Sequence, residues 1–461
     1  MAKKSSLLAE LRAAEKRYGK FESMDLLMPD LSGFLKGKRI RHDDIDKACK
    51  GDFVFCAGIT MLTGLGETVS GIPYGEDDGD PDLPTALIPG SVAPVPWANK
   101  PMGQAMFRMV AEDGGDFFGD PRTVLENALK PLKKRGLKPV VATELEFYLL
   151  DANSDEMRPG TPKVPGTNRV HPGTQVQHPD DLFEVEGFLD DVYDWCDLQN
   201  IPAGPAISEY SPGQFEINLR HVDDAVLACD HAVLLKRVIK AAARKHGYIA
   251  CFMAKPLEDE AGSGLHVHMS LVDRNGKNYF SQGKDNLAEP PFSARLRQAV
   301  GGLLKLMPET TLLCAPNANS YRRLRPDMFA PVEPNWGVNH RAVSIRIPES
   351  DASNLRLEHR VAGADANPYL VMAALVAGVD YGLKNKIDPG TMVEQGAEIT
   401  PKLKIPNRWE AAIDRFARSK VLPEYLGKDY CKYYAMNRRA EAEKFHNAVS
   451  QLDYDWYLRN V

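Results

Sequence analysis

Nowhere in the chain do apolar residues run for the 18 or more positions that a membrane-spanning helix needs, so no bilayer-crossing segment and no membrane partner are expected. No Cys-x-x-Cys pair occurs. The seven cysteines, Cys49, Cys56, Cys196, Cys229, Cys251, Cys314 and Cys431, are scattered and odd in number, which argues against a zinc ribbon and for reduced thiols in a cytoplasm. Positive charge is not in excess: 57 Lys and Arg against 63 Asp and Glu leave a formal net charge of -6 and no footing for a nucleic-acid partner. The phosphate-binding fingerprints Gly-x4-Gly-Lys-Ser/Thr and Gly-x-Gly-x2-Gly are missing, so any nucleotide is held by other means. The opening MAKKSSLLAELRAAEKRYGKF starts basic but mixes Glu10, Arg12 and Glu15 into an amphipathic pattern, predicting a surface helix and not a signal peptide.

What is present is an ordinary globular composition, 43% hydrophobic and 26% charged, in a chain of 461 residues that is long enough for two or three domains. The first hundred or so residues contain the amphipathic helix, short β-prone runs such as DFVFCAGI (52–59), and a Gly/Pro/Asp-rich stretch at 71–90 that reads as a long loop. Beyond it, helical segments interleave with strands: PVVATELEFYLL (139–150), a helix around 180–199, QFEINLR (214–220), a helix at 223–246, and a largely helical, charged end from about 366. The mixture lacks a regular βαβ rhythm, which predicts an α+β fold with an antiparallel sheet.

The chemistry-bearing residues sit on the strands. In GSGLHVHMSL, His266 and His268 are one residue apart in a β-prone run and share a face, because side chains alternate along an extended chain. Glu144 and Glu146 do the same in TELEFYL. Glu209 and Glu216 flank a Pro-Gly turn in EYSPGQFE that can fold them toward one point, and in SNLRLEHRVAG Arg356, Glu358 and Arg360 alternate with apolar neighbours. Each pair alone is equally readable as a half-exposed strand face or a pair of core histidines. Together, five glutamates and two histidines make a hard-oxygen donor set with an imidazole, which suits Mg²⁺ or Mn²⁺ better than zinc. The arginines among them, with Arg322, Arg323 and Arg325 in NSYRRLRP and Arg341 and Arg346 in NHRAVSIRIP, suit a polyphosphate and a second anionic substrate.

Those motifs, in that order over about residues 20–461, resemble the glutamine synthetase family. The resemblance implies an N-terminal β-grasp domain (1–112) and a catalytic domain (113–461) whose antiparallel strands form an active-site funnel. It implies homo-oligomers, double-ringed dodecamers of two hexamers with active sites shared between neighbours. ATP and two or three Mg²⁺ or Mn²⁺ ions per site are the implied cofactors, and glutamate and a small nitrogen nucleophile the implied substrates. Carried over by position, Glu146, Glu209 and Glu216 match one metal site, and Glu144, His266 and Glu358 a second. His268 and Ser270 match ATP contacts; Arg323 and Arg360 match arginines on the glutamate carboxylate and the transferring phosphate. Arg341, Arg346 and Arg356 match phosphate clamps, and Gly262 a backbone contact to glutamate.

Which nitrogen attacks is where this chain departs from ammonia-using members. Those carry an acidic residue before the Ala-Pro of a flap that closes over the intermediate, and here RRLRPDMFAPVEP places Phe329 there, unless Asp327 supplies the acid. A phenyl ring cannot attract NH4⁺ through a carboxylate, but it can wall an apolar cavity or meet a cationic amine through its π face. The Asp-Gly-Ser-Ser-like segment of ammonia users has no clear counterpart in GLGETVSGIPYGEDDGDPD, where Glu67 is a candidate by position, and Ala261 stands where an asparagine is common. The acids Glu76, Asp77, Asp78, Asp80 and Asp82 read either as an attractor for a polyamine's distal ammonium or as a solvated turn. Similar departures occur in the branch that joins glutamate to organic amines, putrescine among them, so a catabolic glutamate–amine ligase is the expectation. An authentic glutamine synthetase, and a catalytically silent assembly of the same fold, are the readings to be told apart from it.

Overall fold

A computed structural model describes residues 2–155, 157–160, 176–281, 290, 292–326, 328–397 and 404–461, with side chains from residue 7. The first sheet gathers β1 (Ser23–Pro29), β2 (Leu35–Arg41), β3 (Val54–Cys56), β4 (Asp82–Leu87), β5 (Ala93–Pro94) and β6 (Met102–Met109) in the order β2-β1-β6-β4-β3, with β5 on β6. Its centre is parallel, β1 beside β6, and every other pair is antiparallel, a β-grasp-like arrangement with the helix His42–Cys49 following β2. Strand β1 is apolar almost throughout because both its faces are covered. Met24, Leu26 and Met28 enter a core with Leu11, Ile45 and Phe107, whereas Leu27 joins Met106 in the large core of the rest of the chain. The expected loop at 71–90 contains a strand, β4, whose Leu83 and Leu87 are buried; most of its Gly, Pro and Asp precede the strand, with Asp82 and Pro84 inside it.

The second sheet carries the rest: β7 (Lys138–Asp151), β8 (Ala203–Ser208), β9 (Gln214–Leu219), β10 (Tyr248–Cys251), β11 (Leu265–Val272), β12 (Trp336–Val338), β13 (Ile345–Ile347) and β14 (Leu357–His359). The order is β12-β13-β14-β11-β7-β9-β8 with β10 on β7, antiparallel except for the parallel pair β12/β13. Along β7, Val141, Leu145, Phe147 and Leu149 are buried in the large core, and Val140, Ala142, Glu144 and Glu146 alternate with them on the half-buried opposite face. Helices Pro121–Lys134, Ala225–Lys245, Ala294–Cys314 and Pro368–Asn385 supply that core. The last two approach so closely that a Cβ on Gly302 would lie 2.1 Å from the carbonyl oxygen of Gly378. The helix expected around 180–199 is two, Pro179–Phe183 and Glu186–Leu198.

Buried polar contacts join the N-terminal sheet to the rest: Asn367 Nδ2 donates to Asp30 O (3.0 Å) and Asn437 Nδ2 to Met61 O (2.6 Å). All seven cysteines are free thiols. No described helix is long and apolar enough to cross a membrane.

Candidate active site

Strand register draws the polar residues into one patch. Residues directly opposite in a ladder share a face, and the ladders pair His266 with Glu144, Glu146 with Glu216, His268 with Glu358, and Arg346 with Glu358. Two groups result in which one donor atom of each residue lies within 4.8 Å of the others: Glu144, His266 and Glu358, and Glu146, Glu216 and His266. His266 belongs to both. Glu209, at the end of β8 where Glu209 N bonds Gln214 O (2.9 Å), belongs to neither, although it stands close enough to Glu146 to feel its charge.

Hydrogen bonds orient the imidazoles. His266 Nδ1 lies 3.1 Å and His268 Nε2 2.7 Å from the Glu144 carboxylate. Arg356 Nε donates to His268 Nδ1 at 3.4 Å, and because an arginine N–H only donates, His268 carries its own proton on Nε2 and gives it to Glu144. His268 is thus an organiser of Glu144 in this structure, and Ser270, two residues on along the same face of β11, is half-buried opposite Val140.

The patch holds more negative charge than its surroundings balance. Burial, then Glu146, push the Glu209 carboxyl up to about 7. Burial, with Glu144, Glu146 and Glu209, holds Glu216 well above the carboxylate range. Burial also opposes ionisation of Glu144, but the bonds to His266 and His268 more than offset it and hold that carboxyl low. Glu358 is held low in spite of burial, first by Arg360. A divalent cation relieves such an excess, and the donor set of carboxylate oxygens with one shared imidazole fits a hard ion. Asn218, opposite Glu144 on β9, adds a buried Oδ1 that has no protein partner among the described residues.

The arginines form the other half. Glu358, fully buried, accepts from Arg346 Nη1 (2.8 Å) and from Arg360 Nη1. Arg360 Nε donates to Arg341 O (3.0 Å), and the Arg341 residue itself is exposed. Arg323 is buried, its Nη1 bound to Val361 O (2.9 Å) and its Nη2 to Arg360 O (3.4 Å). Its stem needs Gly262: a Cβ there would lie 2.8 Å from Arg323 Cγ and 2.7 Å from Ala254 O.

Several neighbours were not singled out in the sequence. Tyr148 follows Glu144 and Glu146 in the same alternation, a signal that period-two reading contains, and its hydroxyl donates to Ala261 O (2.7 Å). Ser211 Oγ accepts from Ala261 N (2.8 Å) and Gln214 Nε2 donates to Gly262 O (3.1 Å), fastening the turn after β8 to the glycine loop. Phe329 is exposed at φ +56°, with its ring centroid 4.8 Å from that of Tyr210. The alternative acid, Asp327, lies outside the described residues. Glu67 pairs with Lys444 of the helix Lys428–Asn447. In the acid-rich turn, Asp77 accepts from Ser70 Oγ (2.7 Å) and Gly71 N (3.0 Å), and Asp78 from Tyr74 N (2.7 Å), so these carboxylates shape their own loop.

Comparison with known proteins places this geometry. Residues 118–457 match the family model described as glutamine synthetase, catalytic domain. The chain is 40% identical to the γ-glutamylputrescine synthetase PuuA of Escherichia coli (strain K12), over 99% of this chain and 96% of that protein. It is 32% identical to a glutamate–isopropylamine ligase of a Pseudomonas species, over 93% of each. Among solved structures, a GmaS–ADP complex superposes with a TM-score of 0.81 at 23% identity, covering 97% of this chain and 99% of that one, a likeness of fold.

Proposed function

The chain belongs to the glutamine synthetase family, and from that premise we propose that it is an ATP-dependent ligase joining the γ-carboxylate of glutamate to an organic amine of the putrescine class. The observation that carries the choice of amine is the 40% identity, over nearly the whole of both chains, to a γ-glutamylputrescine synthetase; the match to a glutamate–isopropylamine ligase supports the class. Phe329, exposed where ammonia users carry an acid, agrees with it.

Glu146, Glu216 and Glu209 on one side and Glu144, His266 and Glu358 on the other would hold divalent cations, Mg²⁺ or Mn²⁺. Bound there, such ions would supply positive charge against the phosphate oxygens of ATP. The protein's own residues do the positioning. Arg323, locked by two backbone carbonyls, keeps its planar fork in place for a carboxylate. Arg346 and Arg360, both bonded to Glu358, which balances one of their two charges, offer their remaining N–H groups to phosphate oxygens, with Arg341 and Arg356 at the margin. His268 and Ser270 extend the β11 face on which the nucleotide lies, and the backbone at Gly262 receives glutamate. The γ-carboxylate becomes γ-glutamyl phosphate, the amine nitrogen displaces phosphate, and an amide, ADP and phosphate result.

We take residues 1–112 as the β-grasp domain and 113–461 as the catalytic domain, assembled as a dodecamer with shared sites. The exposed apolar side chains of Leu452, Trp456, Leu458 and Val461 at the C-terminal end support such an assembly, since a single chain leaves them in water. Free thiols agree with a cytoplasmic setting.

The test is phosphate release with glutamate, ATP and a panel of ammonia, methylamine, ethanolamine and 1,4-diaminobutane, in wild type and Phe329→Glu. Burying three or four methylenes against an apolar wall contributes roughly 2–3 kcal/mol, about two orders of magnitude in kcat/KM. An organic amine is expected to exceed ammonia by about that factor, and Phe329→Glu to narrow the gap. Ammonia as the best nucleophile would identify a glutamine synthetase, and no amine-dependent phosphate release at all would identify a silent assembly.

A further inference from the structure

Two rings stand in water beside the site: Tyr210 is 54% and Phe329 70% exposed, their centroids 4.8 Å apart and their planes at 52°. They come from different segments, the turn between β8 and β9 and the stretch that follows Arg325. Phe329 holds a backbone φ of +56°, in the left-handed region that a side chain with a Cβ rarely adopts, and strain of that kind collects at binding sites. Tyr210 sits in a turn fastened on both sides, by Ser211 Oγ to Ala261 N (2.8 Å) and by Gln214 Nε2 to Gly262 O (3.1 Å), with Gly213 at φ +71° completing it. Its predecessor in the chain is Glu209, whose carboxyl faces the charge of Glu146 and Glu144. The turn therefore sets an aromatic ring directly after an acid of the site and fixes it there.

We propose that Tyr210 is a specificity-determining residue whose ring, together with that of Phe329, forms two walls gripping the methylene chain of a primary alkyl amine, with the reacting nitrogen on the Glu209 side. This rests on the amine-ligase reading above and extends it to a residue that the sequence motifs did not single out. The chemistry of the two rings fits: ring faces accept methylenes and an ammonium through their π electrons, and the apolar area now in water is covered only when a chain lies across it. Ammonia and hydroxylamine, with no chain, leave the rings untouched.

The experiment compares Tyr210→Ala, Tyr210→Leu and Tyr210→Phe with wild type as assembled oligomers, measuring kcat/KM for 1,4-diaminobutane and for hydroxylamine at saturating glutamate and ATP. The expected result is a ratio of diaminobutane to hydroxylamine efficiency that falls about tenfold in Tyr210→Ala, the factor corresponding to loss of one ring contact with a chain or cation. Tyr210→Phe, which keeps the ring, should hold the wild-type ratio to within about twofold, and Tyr210→Leu serves where the alanine variant does not assemble. A ratio unchanged in both Tyr210→Ala and Tyr210→Leu overturns the proposal while leaving the amine-ligase reading intact. So does a variant whose only change is in oligomeric mass, which would make the rings a contact between subunits. A wild type that prefers ammonia overturns both.

Discussion

Replacing Glu358 by glutamine keeps the side chain's shape and removes one negative charge from a fully buried position between Arg346 and Arg360. The new amide group also turns an N–H donor toward a guanidinium that has only donors to offer. Removing one partner of a buried ion pair costs about 3–5 kcal/mol, because the remaining charge is left in a medium that solvates it poorly. For a unit the size of residues 118–457 the unfolding entropy is roughly 0.7 kcal/mol per kelvin, so the metal-free variant should melt about 4–7 °C below metal-free wild type. The metal effect is separate. Glu358 closes one of the two donor groups, and two unbalanced guanidiniums beside a cation add repulsion, so Mn²⁺ should bind at least about a hundredfold more weakly. Differential scanning calorimetry after chelation reads the first effect, and Mn²⁺ titration followed by electron paramagnetic resonance reads the second. An unchanged melting temperature refutes the buried-pair argument. A lowered melting temperature with wild-type Mn²⁺ affinity refutes the ligand role and leaves Glu358 as the partner of the arginines alone.

Arg360→Lys keeps the positive charge but loses the guanidinium geometry that lets Nε bond Arg341 O while Nη1 bonds Glu358. Turnover should fall about 10- to 100-fold while the Kd for ATP, measured by calorimetry, stays within about threefold; a change confined to ATP affinity would count against a role in the transferring step. Asp120, the buried N-cap of the helix Pro121–Lys134, is raised to about 6 by burial, so the folded protein favours its neutral form. Stability from this group is present below about pH 4 and lost as pH rises through 6, a loss of roughly 3 kcal/mol. Asp120→Asn keeps the acceptor for Arg122 N and is neutral throughout, so in denaturant titrations it should match wild type near pH 4 and exceed it at pH 8; parallel pH curves would dismiss the argument.

Much of the site was legible as alternation. His266 and His268, Glu144 and Glu146, and Arg356 and Glu358 each lie two residues apart in β-prone runs, and an extended chain leaves no choice but to put each pair on one side. The same reading found β7 and β9 nearly to the residue and placed the two histidines on a strand, which is β11. It missed β4 because Gly, Pro and Asp before that strand masked a short alternating run, and it merged two helices around 180–199 that only Glu184 and Val185 separate.

What the sequence determined by itself, then, is the inventory: which strands carry acids, imidazoles and guanidiniums, on which face of each strand, and, through the order of the motifs, the family they resemble. Tertiary structure decided which of these meet. Pairing of β7 with β11 and β9, and of β11 with β14, sets His266 between Glu144 and Glu146 and leaves Glu209 outside both donor groups; it also makes His268 a partner of Glu144 and buries Glu358 under Arg346 and Arg360. Periodicity is a property of a dozen neighbouring residues, whereas register is chosen by burial across the whole sheet, where a slip of one residue would turn every acid away from the site. The meeting of Tyr210 with Phe329 is further still from local pattern, because two loops carry it and no periodic rule relates them.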